Sequence, residues 1–325
     1  MPDADIPPSS KRQRTDSDSA TPISRSKIWM PGGDIILQTQ STQFRINSDI
    51  LAQQSPIFRD MLSIPQPANK PTIDGCPIVH LSDAAKDWEL LLETLYNPFQ
   101  HKETLPFDVV AAMVRLGKKY EMAAIKNNAT WRIHYEFPNT LHSWIEVQNK
   151  LTKIESQPGM MLDLLNLVYE YEIRSSVPTL AFNCLDMMSL EHLMKDETRR
   201  PDGSCVHLAP HIKLTLAIAV ERIANQQRTS FQWLDDDTIL PHPQCNSRTE
   251  CTEQRQELYR TVMWGLEEYH YHCFDPWNDF DGTKGLCRKC NLVGEGTFKD
   301  TASKMWEFLP SFFQLPQWGD LKDLE

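Results

Sequence analysis

Four cysteines near the C-terminal end of the chain have residue types and spacing suited to binding a metal. Cys245 and Cys251 form a C-x5-C pair, and Cys287 and Cys290 form a C-x-x-C pair. Thiolate sulfur is a preferred ligand of Zn²⁺, and four thiolates complete the tetrahedral shell of a structural site. The Arg-Lys dipeptide inside the second pair would offset part of the negative charge. The sequence therefore predicts a zinc site with four cysteine ligands.

The long stretch between the two pairs places a demand on the fold. A helix predicted from about Thr252 to Tyr269 lies between Cys251 and Cys287, so it must fold back for the pairs to meet. Other metal-binding side chains lie nearby and could replace one cysteine. These substitute ligands are His242, His270, His272 and Cys273.

Two other interpretations of the cysteines stay open. They could be reduced thiols packed inside a small helical region, or the C-x-x-C pair could be redox-active. The redox interpretation is disfavoured because we expect no strand and helix N-terminus at this pair, where thiolates are usually activated. A zinc ion held by four thiolates would be structural, since no coordination position is left for a substrate.

Motifs typical of enzymes are absent from the sequence. It contains no G-x-S-x-G nucleophile motif, no glycine-rich phosphate loop and no H-E-x-x-H zinc motif. We therefore expect a protein that is not an enzyme.

Composition narrows the function classes further. The chain has 325 residues, 40% of them hydrophobic and 24% charged, and a net charge of −11. Such an acidic balance argues against direct nucleic-acid binding, and no apolar run approaches the ~20 residues of a membrane helix. Eight cysteines without a signal peptide indicate a reducing compartment, so we expect a cytoplasmic or nuclear protein.

The N-terminal segment differs from the rest of the chain. Residues 1–27 are rich in Pro, Ser and Asp and nearly free of large apolar side chains, which predicts disorder. The basic cluster Lys11–Arg14 is either a nuclear import signal or a solvated patch of charge.

Local patterns predict a small sheet followed by helices. Asp34–Thr39 and Thr42–Ile46 have strand patterns and form a hairpin through Gln40–Ser41, and a third strand is predicted at Pro77–Leu81. Ser55 followed by Pro56 is a helix start. Apolar spacing predicts further helices at Ser82–Tyr96, Pro106–Met122, Ala123–Tyr135, Leu141–Val147, Met160–Tyr171, Thr179–Met188 and His211–Gln227.

Residues 32–62 resemble the opening of a BTB/POZ domain. The resemblance rests on a strand beginning with Asp34, a strand containing Phe44, and Leu51, Ser55 and Phe58 in a Leu-x-x-x-Ser-x-x-Phe helix. It extends to about residue 135. The whole chain is similar to the long BTB proteins of mushroom-forming fungi, which tend to carry two cysteine pairs of this kind.

The resemblance also has a departure from the family pattern. Where the family usually has His-Arg or His-Lys, this chain has Asn47-Ser48. Asp34 would then lack its usual basic partner, which argues against a corepressor-type pocket.

The resulting fold prediction has two domains after the disordered tail of residues 1–27. Residues 28–136 are predicted to be an α+β BTB/POZ domain, a short three-stranded sheet surrounded by helices. Residues 137–325 are predicted to form a mostly α-helical domain that holds the zinc site.

The resemblance implies a protein–protein interaction function, by self-association or partner recruitment. A homodimer is expected to bury Trp29, Asp34, Leu51 and Ile57. One alternative is a substrate adaptor for a cullin-based ubiquitin ligase, although the residues before Pro106, His101-Lys102-Glu103, lack an apolar first position. Another is a nuclear transcription co-regulator, which the acidic charge disfavours for direct DNA contact.

Overall fold

The computed structural model describes five stretches of the chain, which are residues 22–64, 71–97, 103–148, 150–264 and 271–323. The predicted disordered tail lies outside these stretches up to residue 21, and so does the cluster Lys11–Arg14. A strand begins at Ser24, so the structured part starts before the boundary predicted at residue 28. In the described stretches, every helix is too short or too polar to cross a lipid bilayer.

Five strands form one sheet, in the spatial order β1–β3–β2–β5–β4. They are β1 (Ser24–Trp29), β2 (Ile35–Thr39), β3 (Thr42–Ile46), β4 (Thr72–Ile73) and β5 (Cys76–Leu81). The predicted hairpin is β2–β3, and β1 and β5 run parallel to β3 and β2.

The expectation of three strands is therefore corrected to five, because β1 and β4 occupy the two edges of the sheet. The first edge strand has the polar sequence SRSK before its apolar end, and the second has only two residues. Neither shows the alternation that identifies a half-buried strand, so their pairing depends on tertiary structure.

Asp34 has a partner despite the missing basic residue of the family pattern. Its carboxylate accepts hydrogen bonds from the backbone N–H of Ser48 at 2.7 Å and from the Ser48 hydroxyl at 2.6 Å. Burial works to raise the pKa of Asp34, but these two hydrogen bonds outweigh it and hold the pKa below its usual value.

Helices make up most of the remaining described chain. They are α1 (Ser48–Gln54), α2 (Pro56–Ser63), α3 (Ala85–Tyr96), α4 (Phe107–Lys119), α5 (Ala123–Glu136), α6 (Leu141–Val147), α7 (Met160–Glu170), α8 (Val177–Met187), α9 (Leu190–Lys195), α10 (Pro210–Ser230), α11 (Arg248–Trp264), α12 (Asp281–Lys284) and α13 (Arg288–Phe312). The predicted helices are present with small shifts at the ends that the structure describes, and the end predicted at Tyr269 lies outside the described residues. By contrast, α9, α12 and α13 have no counterpart in the sequence prediction.

The chain divides into two compact units. The first, the sheet unit, comprises the described residues up to Ser48 and those from 71 to Ala85. The second, the helical unit, comprises residues 49–64 and the described residues from Lys86 on. This division does not fall at the boundary predicted between residues 136 and 137. In the second unit, β6 (Leu105–Pro106) pairs with β7 (Ile154–Glu155) across that boundary.

A buried carboxylate reinforces the connection across residue 136. The Glu136 side chain at the end of α5 is 3% exposed and accepts backbone N–H bonds from Thr152 at 2.7 Å and from Ile154 at 3.2 Å. The Arg132 guanidinium donates to the carbonyl oxygens of Glu103 and Lys153. These bonds satisfy backbone groups that burial would otherwise leave unpaired, so α5 belongs with the helices that follow it.

A cluster of three aromatic rings lies where α2, α3 and α4 meet. Phe58, Trp88 and Tyr120 have ring centroids 4.8–5.7 Å apart. Ser55 caps α2 as predicted, accepting from the Phe58 N–H at 3.1 Å, and its hydroxyl donates to the Tyr120 carbonyl at 2.5 Å. The cap and the rings together fix the start of α2 against the end of α4.

The C-terminal segment at 306–318 is rich in aromatic residues and proline, and it begins inside α13. Trp306, Leu309 and Phe312 are buried, and the Trp318 ring stacks on Trp306 with centroids 5.5 Å apart. The segment therefore buries most of its apolar residues, chiefly through the long helix, but Phe308 is 44% exposed.

The last described residues are held in the helical unit by hydrogen bonds to the Asp323 carboxylate. The Asp323 carboxylate accepts from His134 Nε2 at 2.8 Å and from the Ser175 backbone N–H at 2.8 Å. Burial works to raise the pKa of Asp323, but the bonds from His134 and Ser175 outweigh it and keep the pKa below its usual value. The carboxylate thus stabilises the fold above the unfolded-state pKa, and this contribution is lost as the pH falls through the folded-state pKa.

Asp323→Asn is therefore expected to lower the free energy of unfolding by roughly 1 kcal/mol at neutral pH, because the carboxylate and its hydrogen bonds are partly exposed. Thermal unfolding of both proteins should be compared at pH 7 and at about pH 2, well below the usual aspartate pKa of about 3.9, because the folded-state pKa of Asp323 is lower than that value. The difference should shrink toward zero at the lower pH. An equal difference at both pH values would mean that the charge of Asp323 is not what stabilises the contact.

Candidate metal centre

The structure brings the four predicted cysteine ligands into one cluster. The sulfur atoms of Cys245, Cys251, Cys287 and Cys290 all lie within 4.8 Å of one another. The Sγ atoms of Cys245 and Cys287 are 3.7 Å apart. Zinc–sulfur bonds of about 2.3 Å in a tetrahedron place sulfurs about 3.8 Å apart. The cluster could hold a metal ion, and its donor set and spacing fit Zn²⁺.

Two helix N-termini supply three of the four sulfurs. Cys251 lies in the first turn of α11, Cys287 is the N-cap residue of α13, and Cys290 lies in the first turn of α13. Cys245 lies in the preceding turn, where its N–H donates to the His242 carbonyl at 2.8 Å. Since the positive ends of two helix dipoles point toward the cluster, they favour the thiolate forms that bind a metal.

The backbone of each cysteine pair also donates to a sulfur of the other pair. The His242 N–H donates to Cys290 Sγ at 3.3 Å, and the Cys287 N–H donates to Cys251 Sγ at 3.3 Å. Such N–H···S bonds orient the side chains that bind a metal directly, and they reduce the negative charge on the thiolate sulfur. The segments that carry the two cysteine pairs are therefore held together by these two hydrogen bonds as well as by the contact between the Cys245 and Cys287 sulfurs.

The cluster is shielded from water on one side. Cys251 and Cys290 are completely buried beside Leu240, whereas Cys245 and Cys287 are half-buried. Apolar side chains pack around this small core; they are Trp233, Ile239, Leu286 and Val293. A structural zinc needs such a shell, because it limits exchange of the ligands with solvent.

The thiol groups have different proton affinities. The backbone N–H of Cys290 lowers the pKa of Cys287 to about 6, with smaller contributions from the neighbouring thiols and with burial acting in the opposite direction. Burial raises the pKa of Cys251 and of Cys290. Cys287 is therefore an ionised ligand at neutral pH, and a metal must displace protons from the buried thiols as it binds.

Two glycines explain how the distant pairs meet. A Cβ at Gly282 would lie 2.9 Å from Leu258 Cγ, and a Cβ at Gly285 would lie 2.6 Å from the Gln254 side chain. Their missing side chains let the segment containing α12 approach α11 closely, which carries Cys287 back to Cys251. The sequence prediction that the intervening helix folds back is in accord with this packing, but it does not identify the glycines as the cause.

The substitute ligands lie elsewhere or play other roles. The His242 ring accepts from the Gln244 N–H at 3.0 Å, and His272 Nδ1 faces the Asp275 carboxylate at 2.7 Å. Cys273 is fully buried outside the cluster, and His270 lies outside the described residues. Among the residues described, the cluster consists of the four predicted cysteines.

One argument made from the sequence about these cysteines is wrong. The C-x-x-C pair does open a helix, because Cys287 is the N-cap of α13, so its thiol is placed where activation occurs. The proximity of the second pair nevertheless favours metal ligation, since four sulfurs converge rather than two. With all four positions filled by protein ligands, a bound metal would have a structural role.

The predicted interface residues differ in exposure. In the sheet unit Trp29 is half-buried beneath the Arg25 guanidinium, 4.4 Å from its ring, and Asp34 is exposed. In the helical unit Ile57 is 38% exposed, but Leu51 is completely buried. Leu51 therefore has no surface to offer a partner, because its side chain already belongs to the core of its own chain.

Comparison of the sequence with known proteins gave no relative: no protein-family model matches the chain, and no curated protein matches it.

Proposed function

We propose that this chain is a non-enzymatic protein–protein interaction protein that self-associates through its sheet unit, with a helical unit stabilised by Zn²⁺. The observation that carries the proposal is the position of β1 at one edge of the five-stranded sheet. Edge strands present backbone groups that pair readily with another strand, which is a common mode of protein recognition.

The side chains on and beside β1 support this proposal. Ile23, directly before the strand, is 57% exposed. Trp29 lies at its end with Arg25 over the ring at 4.4 Å. Tryptophan and arginine are enriched among the residues that contribute most to protein interfaces. A second copy of the chain is therefore a suitable occupant of this edge.

The order of elements supports the resemblance to BTB/POZ domains. Within the described residues, the β2–β3 hairpin is followed by α1 and α2, by β4 and β5, and then by α3, α4 and α5, with the two-residue β6 between α3 and α4. The resemblance implies the order strand, strand, helix, strand and three helices, and on this agreement we base the proposal of a BTB-like region.

Trp29→Ala is expected to weaken self-association by at least about tenfold, because truncating a central aromatic contact commonly costs about 2 kcal/mol or more. Light scattering after size-exclusion chromatography should give twice the chain mass of 37.6 kDa for the wild type. Leu292→Ala is the matched control, since Leu292 is 60% exposed on α13 and outside the sheet unit.

The control should retain the wild-type mass at every concentration at which Trp29→Ala dissociates. A wild-type protein that elutes with the mass of one chain at tens of micromolar would contradict self-association. Equal dissociation of both variants would instead place the interface elsewhere.

The cullin-adaptor and co-regulator alternatives stay predictions. His101 and Lys102 lie outside the described residues, as does the basic cluster Lys11–Arg14. The contacts of the described residues favour neither alternative over self-association.

A further inference from the structure

The helical unit contains a cavity of 340 Å³ at the junction of α4, α5 and the connection from α7 to α8. This volume is within the range of small-molecule sites, which is about 300–1,000 Å³. The cavity is separate in sequence from the cysteine cluster. The lining residues that determine its chemistry are Val114, Lys118, Lys126, Trp131, Ile173 and Asp323.

The lining is positively charged although the chain as a whole is acidic. Lys118 Nζ contacts the Tyr171 carbonyl at 3.4 Å, and among the described residues neither Lys118 nor Lys126 pairs with a carboxylate. The one acidic side chain in the lining, Asp323, is already held by His134 and Ser175. Two ammonium groups thus remain to attract an anion in a protein whose net charge is −11.

The same lining has an apolar side. Val114 and Ile173 are 2% and 5% exposed and form buried surface beside the cavity, and Trp131 is 50% exposed. Contact of the exposed tryptophan ring with water is unfavourable, and a ligand ring would remove it. Aromatic surfaces also stack favourably on flat ligands. Charge on one side and apolar surface on the other favour a ligand that has both.

We propose that this cavity binds a small organic anion, in which an acidic group faces Lys118 and Lys126 and an apolar ring packs against Val114, Ile173 and Trp131. The ammonium groups act as point charges, so the site accepts a carboxylate or a sulfonate. Asn127 and Thr130 supply polar side chains beside the two lysines. This binding does not depend on self-association or on the metal.

Two fluorescent probes of similar shape can test the proposal on the full-length protein. The first is 1-anilinonaphthalene-8-sulfonate, an anion, and the second is N-phenyl-1-naphthylamine, which lacks the sulfonate. The double variant Lys118→Met and Lys126→Met removes both charges but keeps the apolar stems. This variant is expected to lower the affinity for the anionic probe by roughly tenfold or more and to change the affinity for the neutral probe by less than about twofold.

Matched controls separate the cavity from general effects of charge. The double variant Lys195→Met and Lys304→Met removes the same total charge from α9 and α13 and should leave both affinities unchanged. Trp131→Ala should weaken both probes, because it removes the ring contact. Circular dichroism checks the fold of each variant, and Lys118→Arg with Lys126→Arg, which keeps the charges, should retain anion binding.

The results that would overturn the proposal are specific. The first is that the anionic probe does not bind the wild type. The second is that its affinity is unchanged when the two cavity lysines are replaced, and the third is that the Lys195 and Lys304 control variant loses the same affinity. Equal weakening of the anionic and neutral probes would also overturn it, since the lysines would then not recognise charge. If the methionine variant fails to fold, loss of anion binding in the arginine variant together with full binding by Trp131→Ala overturns it.

Discussion

Cys290→Ser is expected to abolish zinc binding and to unfold the region around α11 and α13. The wild-type protein should carry about one zinc per chain. Loss of the zinc ion is expected to be severe, because metal binding to structural zinc sites contributes apparent free energies of about 10–16 kcal/mol in small domains. This is comparable to the whole free energy of unfolding of a folded protein. Elemental analysis gives the zinc content, and circular dichroism with thermal unfolding reports the loss of helix.

A matched control separates metal loss from the cost of a buried hydroxyl. Cys184 is also completely buried, and its thiol lies outside the cluster, donating to the Met161 carbonyl at 3.9 Å. Cys184→Ser should cost only about 1–3 kcal/mol and keep the full zinc content. If Cys290→Ser behaves in the same way, and a strong chelator does not change the helix content of the wild type, the four cysteines are ordinary core thiols.

Trp88→Ala is expected to lower the free energy of unfolding by about 3–5 kcal/mol. Trp88 is completely buried in α3, and its ring contacts Phe58 and Tyr120, so the truncation leaves a cavity between α2, α3 and α4. Urea denaturation followed by circular dichroism measures the effect as a lower midpoint.

Trp131→Ala provides the corresponding surface control. Its ring is 50% exposed on α5, so the same chemical change should cost less than about 1 kcal/mol. Similar losses in the two variants would contradict the placement of Trp88 at the centre of the aromatic cluster. The comparison is useful because it holds the deleted group constant and changes only its burial.

The helices of the chain were predictable where apolar residues recur at helical spacing. α3 has Trp88, Leu91 and Leu92 buried on one stripe, and α6 has the bounds predicted from the sequence, Leu141–Val147. Ser55 and Pro56 mark the start of α2 through capping chemistry that needs only neighbouring residues. Such signals are local, which is why they can be read without knowledge of the fold.

Helix α13 was not predicted from the local sequence pattern. Its sequence contains two glycines and an internal proline, Pro310, and its apolar stripe is interrupted by charged residues. Gly294 is needed because a Cβ there would lie 2.7 Å from the Trp277 ring. Gly294 weakens a helix in isolation but is here required by packing, so at this position a tertiary contact outweighs intrinsic propensity.

The candidate metal site was predictable in its ligands but not in its construction. Residue type and the spacing within each pair identified Cys245, Cys251, Cys287 and Cys290, because thiolate sulfur is a preferred ligand of tetrahedral Zn²⁺. Their convergence depends on the close approach of the segment containing Gly282 and Gly285 to α11. No local pattern encodes that approach, since it joins residues far apart in the chain.

The cavity and the sheet edges belong to the same category of non-local features. Lys118 and Lys126 lie on different helices, and their common position depends on how α4 packs against α5. β1 is an edge strand because of its pairing with β3, and its polar sequence shows no strand periodicity. Spacing along the chain therefore identifies ligands, caps and amphipathic helices, whereas cavities and edges arise from packing between elements, which a one-dimensional pattern does not contain.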